Sequence, residues 1–244
     1  MRILAINGSP RGEESNTQRM IDLFFEGAHA EGADTDTIYV RDLNVGFCRG
    51  CFACWTDTPG RCIQRDDMDM VLEAIKGSDA VIWGTPLYHY GMTAMLKTVL
   101  ERTLPTVDPH IVKEGDSYCH PMRDERHFLT KTLLFSNCGF PEMHHFDGLI
   151  SQFACLFRGH GDAPSETILR PCGGMLRLPE LIPHIEWYYD ALRNAGKEFV
   201  RDGRISEGTH ETLRRDIVDV EVFVSRANAY WDECLAKVKT GEGN

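Results

Sequence analysis

The sequence predicts an α/β protein: a doubly wound, five-stranded parallel sheet followed by extra C-terminal helices. Two observations lead there. Through residues 1–178, short apolar runs alternate with longer stretches of helical periodicity, the pattern of repeated β-α-β units. The short runs are also continuously apolar, as strands covered on both faces must be. Right-handed crossovers then carry helices to both sides of the sheet.

The elements follow in order. Arg2–Asn7 (RILAIN) reads as the first strand, and about Asn16–Ala30 as a helix with Met20, Ile21, Phe24, Phe25 and Ala28 on one face. Thr37–Val40 suits a second strand. Asp66–Lys76 repeats the helical pattern through Met68, Leu72 and Ile75. Ala80–Trp83 (AVIW) is the third strand, ending at Gly84-Thr85-Pro86, and a helix at about Thr93–Arg102 follows. Thr132–Ser136 is the fourth strand, about His144–Phe157 the next helix, and Glu166–Arg170 the fifth strand. From Pro179 the pattern changes to two helical stretches, Leu181–Arg201 and Glu207–Lys239, parted by Asp202-Gly203. Residues 179–244 therefore read as a helical extension, packed on the 1–178 domain or lying at a subunit interface. Leu104–Lys131 has little periodicity, and so long a loop is uncommon unless it is functional or covered by a partner.

Bulk composition narrows the function. The chain has 244 residues, of which 42% are apolar and 26% charged, with a net charge of −11. Such a balance disfavours nucleic acid and anionic membrane, which need a concentrated positive surface. The opening run MRILAING is too short for a signal sequence or a membrane span, and no run of about 18 apolar residues occurs elsewhere. Nine cysteines, an odd number, fit a reducing compartment and thiol, metal or cluster chemistry better than a disulfide framework. The expected location is the cytoplasm.

The turn after the first strand, GSPRGEESNT (Gly8–Thr17), lies where ligands collect on an open parallel sheet, at the carboxyl ends of the strands. Gly8 and Gly12 allow backbone N–H groups to converge on an anion. Ser9, Ser15, Asn16 and Thr17 add short donors, the helix contributes its positive end, and Arg11 a two-pronged charge. There is no Gly-Lys-Ser/Thr and no G-x-G-x-x-G, so a Walker A loop and a Rossmann dinucleotide site are disfavoured. A monophosphate held without metal fits best. The other reading is a polar turn in which Asn16 only caps the helix.

Two further loops reach the same rim. After the third strand, Pro86 and Gly91 bracket Leu87, Tyr88, His89 and Tyr90, an apolar and aromatic turn suited to the wall of a planar ring, or else to ordinary packing. After the fourth strand come Asn137, Cys138, Gly139 and Phe140. Cys138 is either redox active or an inert thiol.

GSPR…SNT followed by TPLYHYGMTAMLKTVLERT resembles the NAD(P)H-dependent FMN reductase family of flavodoxin-like proteins, over roughly Met1–Gly174. The resemblance implies the flavodoxin-like strand order 2-1-3-4-5, FMN as cofactor and NAD(P)H as co-substrate. It implies that Ser9, Arg11, Ser15, Asn16 and Thr17 hold the phosphate. Pro86, Leu87, Tyr88, His89, Tyr90 and Gly91 would border the isoalloxazine, with Asn137, Cys138 and Gly139 on its other side. Relatives are commonly homodimers or homotetramers. The acceptor would be a quinone, a flavin or another small molecule, and no catalytic acid or base is identified; His89 is the best-placed titratable side chain.

Cys48, Cys51, Cys54 and Cys62 stand in the spacing C-x2-C-x2-C-x7-C. Three thiolates at this pitch can converge on one soft centre, and the compact triplet resembles runs that ligate iron–sulfur clusters. Zinc usually takes two separated pairs, and free thiols in a structural loop remain open. With the following Asp66-Asp67-Met68, the stretch resembles the iron–sulfur flavoproteins, which carry a [4Fe-4S] cluster beside FMN. That relationship implies the alternative function, an iron–sulfur flavoprotein or flavodoxin-like carrier exchanging electrons with a protein partner. A hydrolase is disfavoured, because no G-x-S-x-G is present.

Overall fold

Ile3 to Ile6 are enclosed almost completely, which requires neighbours on both edges and both faces. The computed structural model describes residues 1–115, 117–124, 131–157 and 165–240. In it β1 (Arg2–Asn7) pairs in parallel with β2 (Asp34–Tyr39) on one edge and β3 (Ala80–Pro86) on the other. β6 (Lys131–Asn137) and β7 (Glu166–Arg170) continue the sheet, giving the order β2-β1-β3-β6-β7. These are the five expected strands in the expected order 2-1-3-4-5. The numbering shifts because a short antiparallel hairpin, β4 (Val112–Glu114) and β5 (Ser117–Cys119), interrupts the segment read as loop. Residues 116 and 125–130 of that segment lie outside the described residues.

Alternate residues of each strand feed different cores, because side chains alternate across a sheet. Ile3, Ala5, Ile82 and Phe135 face α1 (Asn16–Ala30), α5 (Ile182–Asp202) and α6 (Glu207–Arg214). Leu4, Ile6, Val81, Trp83 and Leu134 face α2 (Met68–Lys76), α3 (Ala94–Glu101) and α4 (Asp147–Phe157). Phe24 meets Phe135 edge-on at 5.2 Å, a pairing that adds about 0.5–1.5 kcal/mol beyond its burial. α5 lies directly on α1, and two glycines permit the approach. A Cβ at Gly196 would sit 2.0 Å from the Phe24 carbonyl oxygen, and one at Gly27 1.8 Å from that of Arg193.

Several boundaries differ from the expected ones. β2 begins at Asp34, not Thr37, because it is an edge strand whose Asp34 and Asp36 carry no apolar signal; Val40 falls in a 3-10 turn. α2 begins at Met68, since Asp66 turns its carboxylate to other partners. β3 and β6 run on to Pro86 and Asn137, which pair with one another. The expected helix from His144 opens as a 3-10 turn over Met143–Phe146.

The stretch read as a single helix over Glu207–Lys239 is two, α6 and α7 (Val220–Thr240). Buried Arg170 donates from Nη1 to the Leu213 and Arg215 carbonyls, tying off α6. Asp219 then accepts from the Glu221 and Val222 amides and starts α7 afresh. α7 is largely exposed, Trp231, Leu235 and Val238 included. Among the described residues, no helix is long and apolar enough to cross a membrane. Residues 241–244 of the expected extension lie outside the described residues.

Candidate functional site

The first loop is organised by Asn7, the polar last residue of β1. Its buried amide donates to Gln18 Oε1 at 2.8 Å and Ser15 Oγ at 3.3 Å, and its Oδ1 accepts from the Ser9 amide at 2.8 Å. Ser15, not Asn16, caps α1, accepting from the Gln18 amide at 2.9 Å. Gly12 takes φ +54, where other residues are strained. Ser9, Ser15 and Thr17 are buried beneath the loop, whereas Arg11 is exposed and makes no ion pair among the described residues.

The loop after β3 is locked to the first. Thr93 caps α3, donates to the Gly8 carbonyl at 2.7 Å, and its amide donates to Thr85 Oγ1 at 3.1 Å. Between them Tyr88 and Gly91 exchange both backbone hydrogen bonds at 3.0 Å, closing a two-residue hairpin. Its central residues, His89 at φ +47 and Tyr90 at φ +63, sit where Asn and Gly are favoured. Such outliers store backbone strain and cluster at functional sites. Tyr90 leans on His145, with 5.8 Å between ring centres, and His145 on Phe140 at 4.5 Å.

The loop after β6 closes the rim. The Asn137 amide donates to Thr17 Oγ1 at 2.8 Å, and its carbonyl accepts from Leu87 N–H at 2.8 Å, so one residue touches both other loops. Burial pushes the Cys138 thiol up, which favours the inert reading.

These three loops enclose one cleft of about 250 Å³. Ser9, Arg11, Ser15, Asn16 and Thr17 line it from the first loop, Pro86, Leu87 and Tyr88 from the second, and Asn137, Cys138 and Gly139 from the third. His89, Tyr90 and Gly91 are not among its lining residues; they form the hairpin tip beyond Tyr88. Gly174 lines the cleft and was missed from the sequence. Its signal was the pair Gly173-Gly174 after the fifth strand, on the same rim. Gly173 donates to the Cys138 carbonyl at 2.7 Å. Asn7 was missed too, its signal being a polar residue ending an apolar strand.

A second site lies on the long connection between β2 and α2. Cys48, Cys51, Cys54 and Cys62 are all free thiols and line a single hollow of about 20 Å³ together with Arg102, Leu104 and Pro105. As placed, no three His, Cys, Asp or Glu among the described residues form a group that could hold a metal ion. Burial pushes the Cys54 thiol up, and the neighbouring Cys62, Cys48 and Cys51 push it further. Arg102 anchors the base of this connection. Its Nη1 and Nη2 donate to the two Asp66 oxygens at 2.7 and 2.9 Å, and Nη1 also to the Gly46 carbonyl at 2.7 Å. Those hydrogen bonds hold the Asp66 carboxyl below its usual range.

Residues 1–137 match the family model described as NADPH-dependent FMN reductase. An iron-sulfur flavoprotein of Archaeoglobus fulgidus is 34% identical over 105 residues, 43% of this chain and 46% of that protein. The chain spans about half the length of the curated relatives it matches. Among solved structures, an FMN-dependent NADH-azoreductase from Bacillus anthracis in complex with FMN superposes with a TM-score of 0.58 at 14% identity, over 82% of this chain and 99% of that one. An NAD(P)H:quinone oxidoreductase from Methanothermobacter marburgensis gives 0.58 at 15% identity, over 82% and 96%. At such identities the likeness is one of fold, and the fold is flavodoxin-like.

Proposed function

We propose, because this chain belongs to the NADPH-dependent FMN reductase family, that it holds FMN in the three-loop cleft and passes electrons from NAD(P)H to a small acceptor such as a quinone or flavin. The observation carrying this reading is the convergence of loops from β1, β3 and β6 on one cleft lined by Arg11, which makes no ion pair among the described residues. Donor chemistry there suits a phosphate: loop amides, three hydroxyls, the N-terminus of α1 and the Arg11 guanidinium. Pro86, Leu87 and Tyr88 offer an apolar wall for a flat ring, and Asn137 and Gly139 offer polar contacts and close approach on the other side. The strained hairpin of His89 and Tyr90 holds Tyr88 at the cleft edge.

Bound FMN supplies hydride acceptance and onward electron transfer; the protein's part is orientation and polarity. No side chain of this chain has to give or take a proton for that exchange, and exposed His89 lies at the hairpin tip. We expect a cytoplasmic homodimer or homotetramer, which the bare apolar positions of α7 support.

A second reading adds to the first. Cys48, Cys51, Cys54 and Cys62 are free thiols, the donor type of a [4Fe-4S] cluster, but as placed they form no group among the described residues that could hold a metal ion, so this reading rests on their spacing and on the relatives. The protein would then be an iron–sulfur flavoprotein exchanging single electrons with a protein partner, as the names of the curated relatives suggest. The test is a visible spectrum with iron and acid-labile sulfide analysis on anaerobically purified protein, followed by NADH and NADPH. Flavin that bleaches on nicotinamide addition supports the reductase. Flavin that stays oxidised makes it a carrier, and protein unable to take up FMN refutes both. Iron and sulfide in equal amounts support the cluster; zinc or bare thiols refute it.

A further inference from the structure

The three-loop cleft adjoins a larger cavity of about 810 Å³, a size suited to a small-molecule site. Gly139 and Gly174 line both spaces. A Cβ built on either glycine would meet no atom within 4 Å, so the edge they share is open. Met175 and Leu178 line the cavity from the turn after β7. α7 lines it with Phe223, Ala227 and Trp231, which are four residues apart and so share one face of the helix. Phe223 and Ala227 are half-buried while most of α7 is exposed. The two charged residues of the lining, Glu180 and Arg226, are both exposed, so their charges stand in water and the interior is apolar. α7 lies beyond residues 1–137, so the family match does not account for this cavity.

We propose that the cavity seats the electron acceptor, that it selects an uncharged fused-ring quinone, and that α7 determines this specificity. The proposal rests on the reductase reading above, which puts the flavin in the adjoining cleft. Phe223 and Trp231 offer flat apolar surface to a fused ring. An anion or a sugar would lose its water there without gaining partners. The open edge at Gly139 and Gly174 is where a seated ring meets the cleft. In the reaction the quinone takes a hydride from the reduced flavin and a proton from water, becoming the hydroquinone and leaving the flavin oxidised. NAD(P)H then reduces the flavin again.

The test uses FMN-loaded protein with NADH or NADPH and two acceptors: menadione, a naphthoquinone, and ferricyanide, a small anion that needs no apolar seat. Ala227→Trp fills the cavity and should lower kcat/KM for menadione about tenfold or more. Ala227→Ser, of similar size, should stay near wild type. FMN uptake, flavin bleaching by nicotinamide and ferricyanide reduction should not change in either. Wild-type menadione kinetics in Ala227→Trp would overturn the proposal and leave the reductase reading intact. Slowed bleaching would seat the nicotinamide there instead, and a change in light-scattering mass alone would make the cavity a contact between copies; either result overturns it. Should Ala227→Trp fail to fold, wild type irradiated with an azido-naphthoquinone decides: the label must fall on α7, and labelling confined to other segments overturns the assignment. A wild type that binds no FMN, or whose flavin stays oxidised with both nicotinamides, removes the reductase reading and the acceptor site together.

Discussion

The Thr93 hydroxyl donates to the Gly8 carbonyl at 2.7 Å and accepts from the Leu96 amide at 3.3 Å. One side chain thus caps α3 and pins the start of the loop after β1. There is no slack in the contact, since a Cβ on Gly8 would lie 2.5 Å from Leu96 Cβ. Thr93→Val keeps the shape and removes both hydrogen bonds. Stability should fall by about 1–2 kcal/mol, and FMN affinity should fall with it. Thr93→Ser should restore both. Denaturant unfolding and FMN titration check this; a valine variant with wild-type affinity would uncouple the two loops.

Arg11 is the cleft's exposed cation, with no carboxylate of its own among the described residues. Arg11→Ala should weaken FMN binding by about 10- to 100-fold, the worth of a charged hydrogen bond of about 1.5–3 kcal/mol. Riboflavin, which lacks the phosphate, should bind nearly as before. Ser15 is the poorer probe because its hydroxyl also caps α1. Equal losses for both ligands would remove Arg11 from the phosphate.

Two positive φ values in succession, at His89 and Tyr90, are held by the Tyr88–Gly91 pair and by Tyr90 against His145. His89→Asn relieves one of them and should raise stability by about 1 kcal/mol. It should leave FMN affinity near wild type, because His89 does not line the cleft. Thermal unfolding with and without FMN is the measurement, and a destabilised variant would mean the histidine makes contacts that outweigh its strain.

Much of this architecture is legible in the chain. β1, β7 and α1 begin and end at the expected residues because their apolar runs are enclosed and sharply bounded. β2 is displaced because an edge strand needs few apolar residues, and Asp34 and Asp36 look like loop. The joint between α6 and α7 could not be read, because apolar spacing continues across it while the residue that ends α6 is Arg170, on β7. Cleft residues were visible because each follows a strand on one rim. Gly174 escaped because its loop carries no motif. Cysteine spacing placed the four thiols around one hollow, but neither the depth of each thiol, which leaves them no metal-holding group among the described residues, nor Arg102 beside them is encoded locally.

Burial pushes the Cys172 thiol from 9.0 up to about 11. At pH 8 only about one molecule in a thousand carries that thiolate, so alkylation should be very slow. Cys51 and Cys155, the exposed thiols among the described residues, should react first. A raised acid pKa stabilises nothing below pH 9, and the folded state loses stability as pH climbs from 9 towards 11, because the unfolded thiol ionises first. Mass spectrometry after timed iodoacetamide treatment reads the order; early labelling of Cys172 would contradict its burial.

Asp66 has the opposite sign. Its carboxylate takes both Arg102 prongs and also accepts from the Gly46 amide at 3.0 Å and the Met68 amide at 3.2 Å. The folded pKa is depressed, so its contribution is complete above the ordinary value of 3.8 and is lost as pH falls through the lower, folded one. Asp66→Asn strands a buried guanidinium and should cost about 3–5 kcal/mol at pH 7. The gap between variant and wild type should close on acidification below pH 3.8, as wild type loses the same charge. Urea unfolding at both pH values measures it. A gap that does not change with pH would assign the cost to packing around the cysteine loop, and the ion pair would no longer account for how that loop is held.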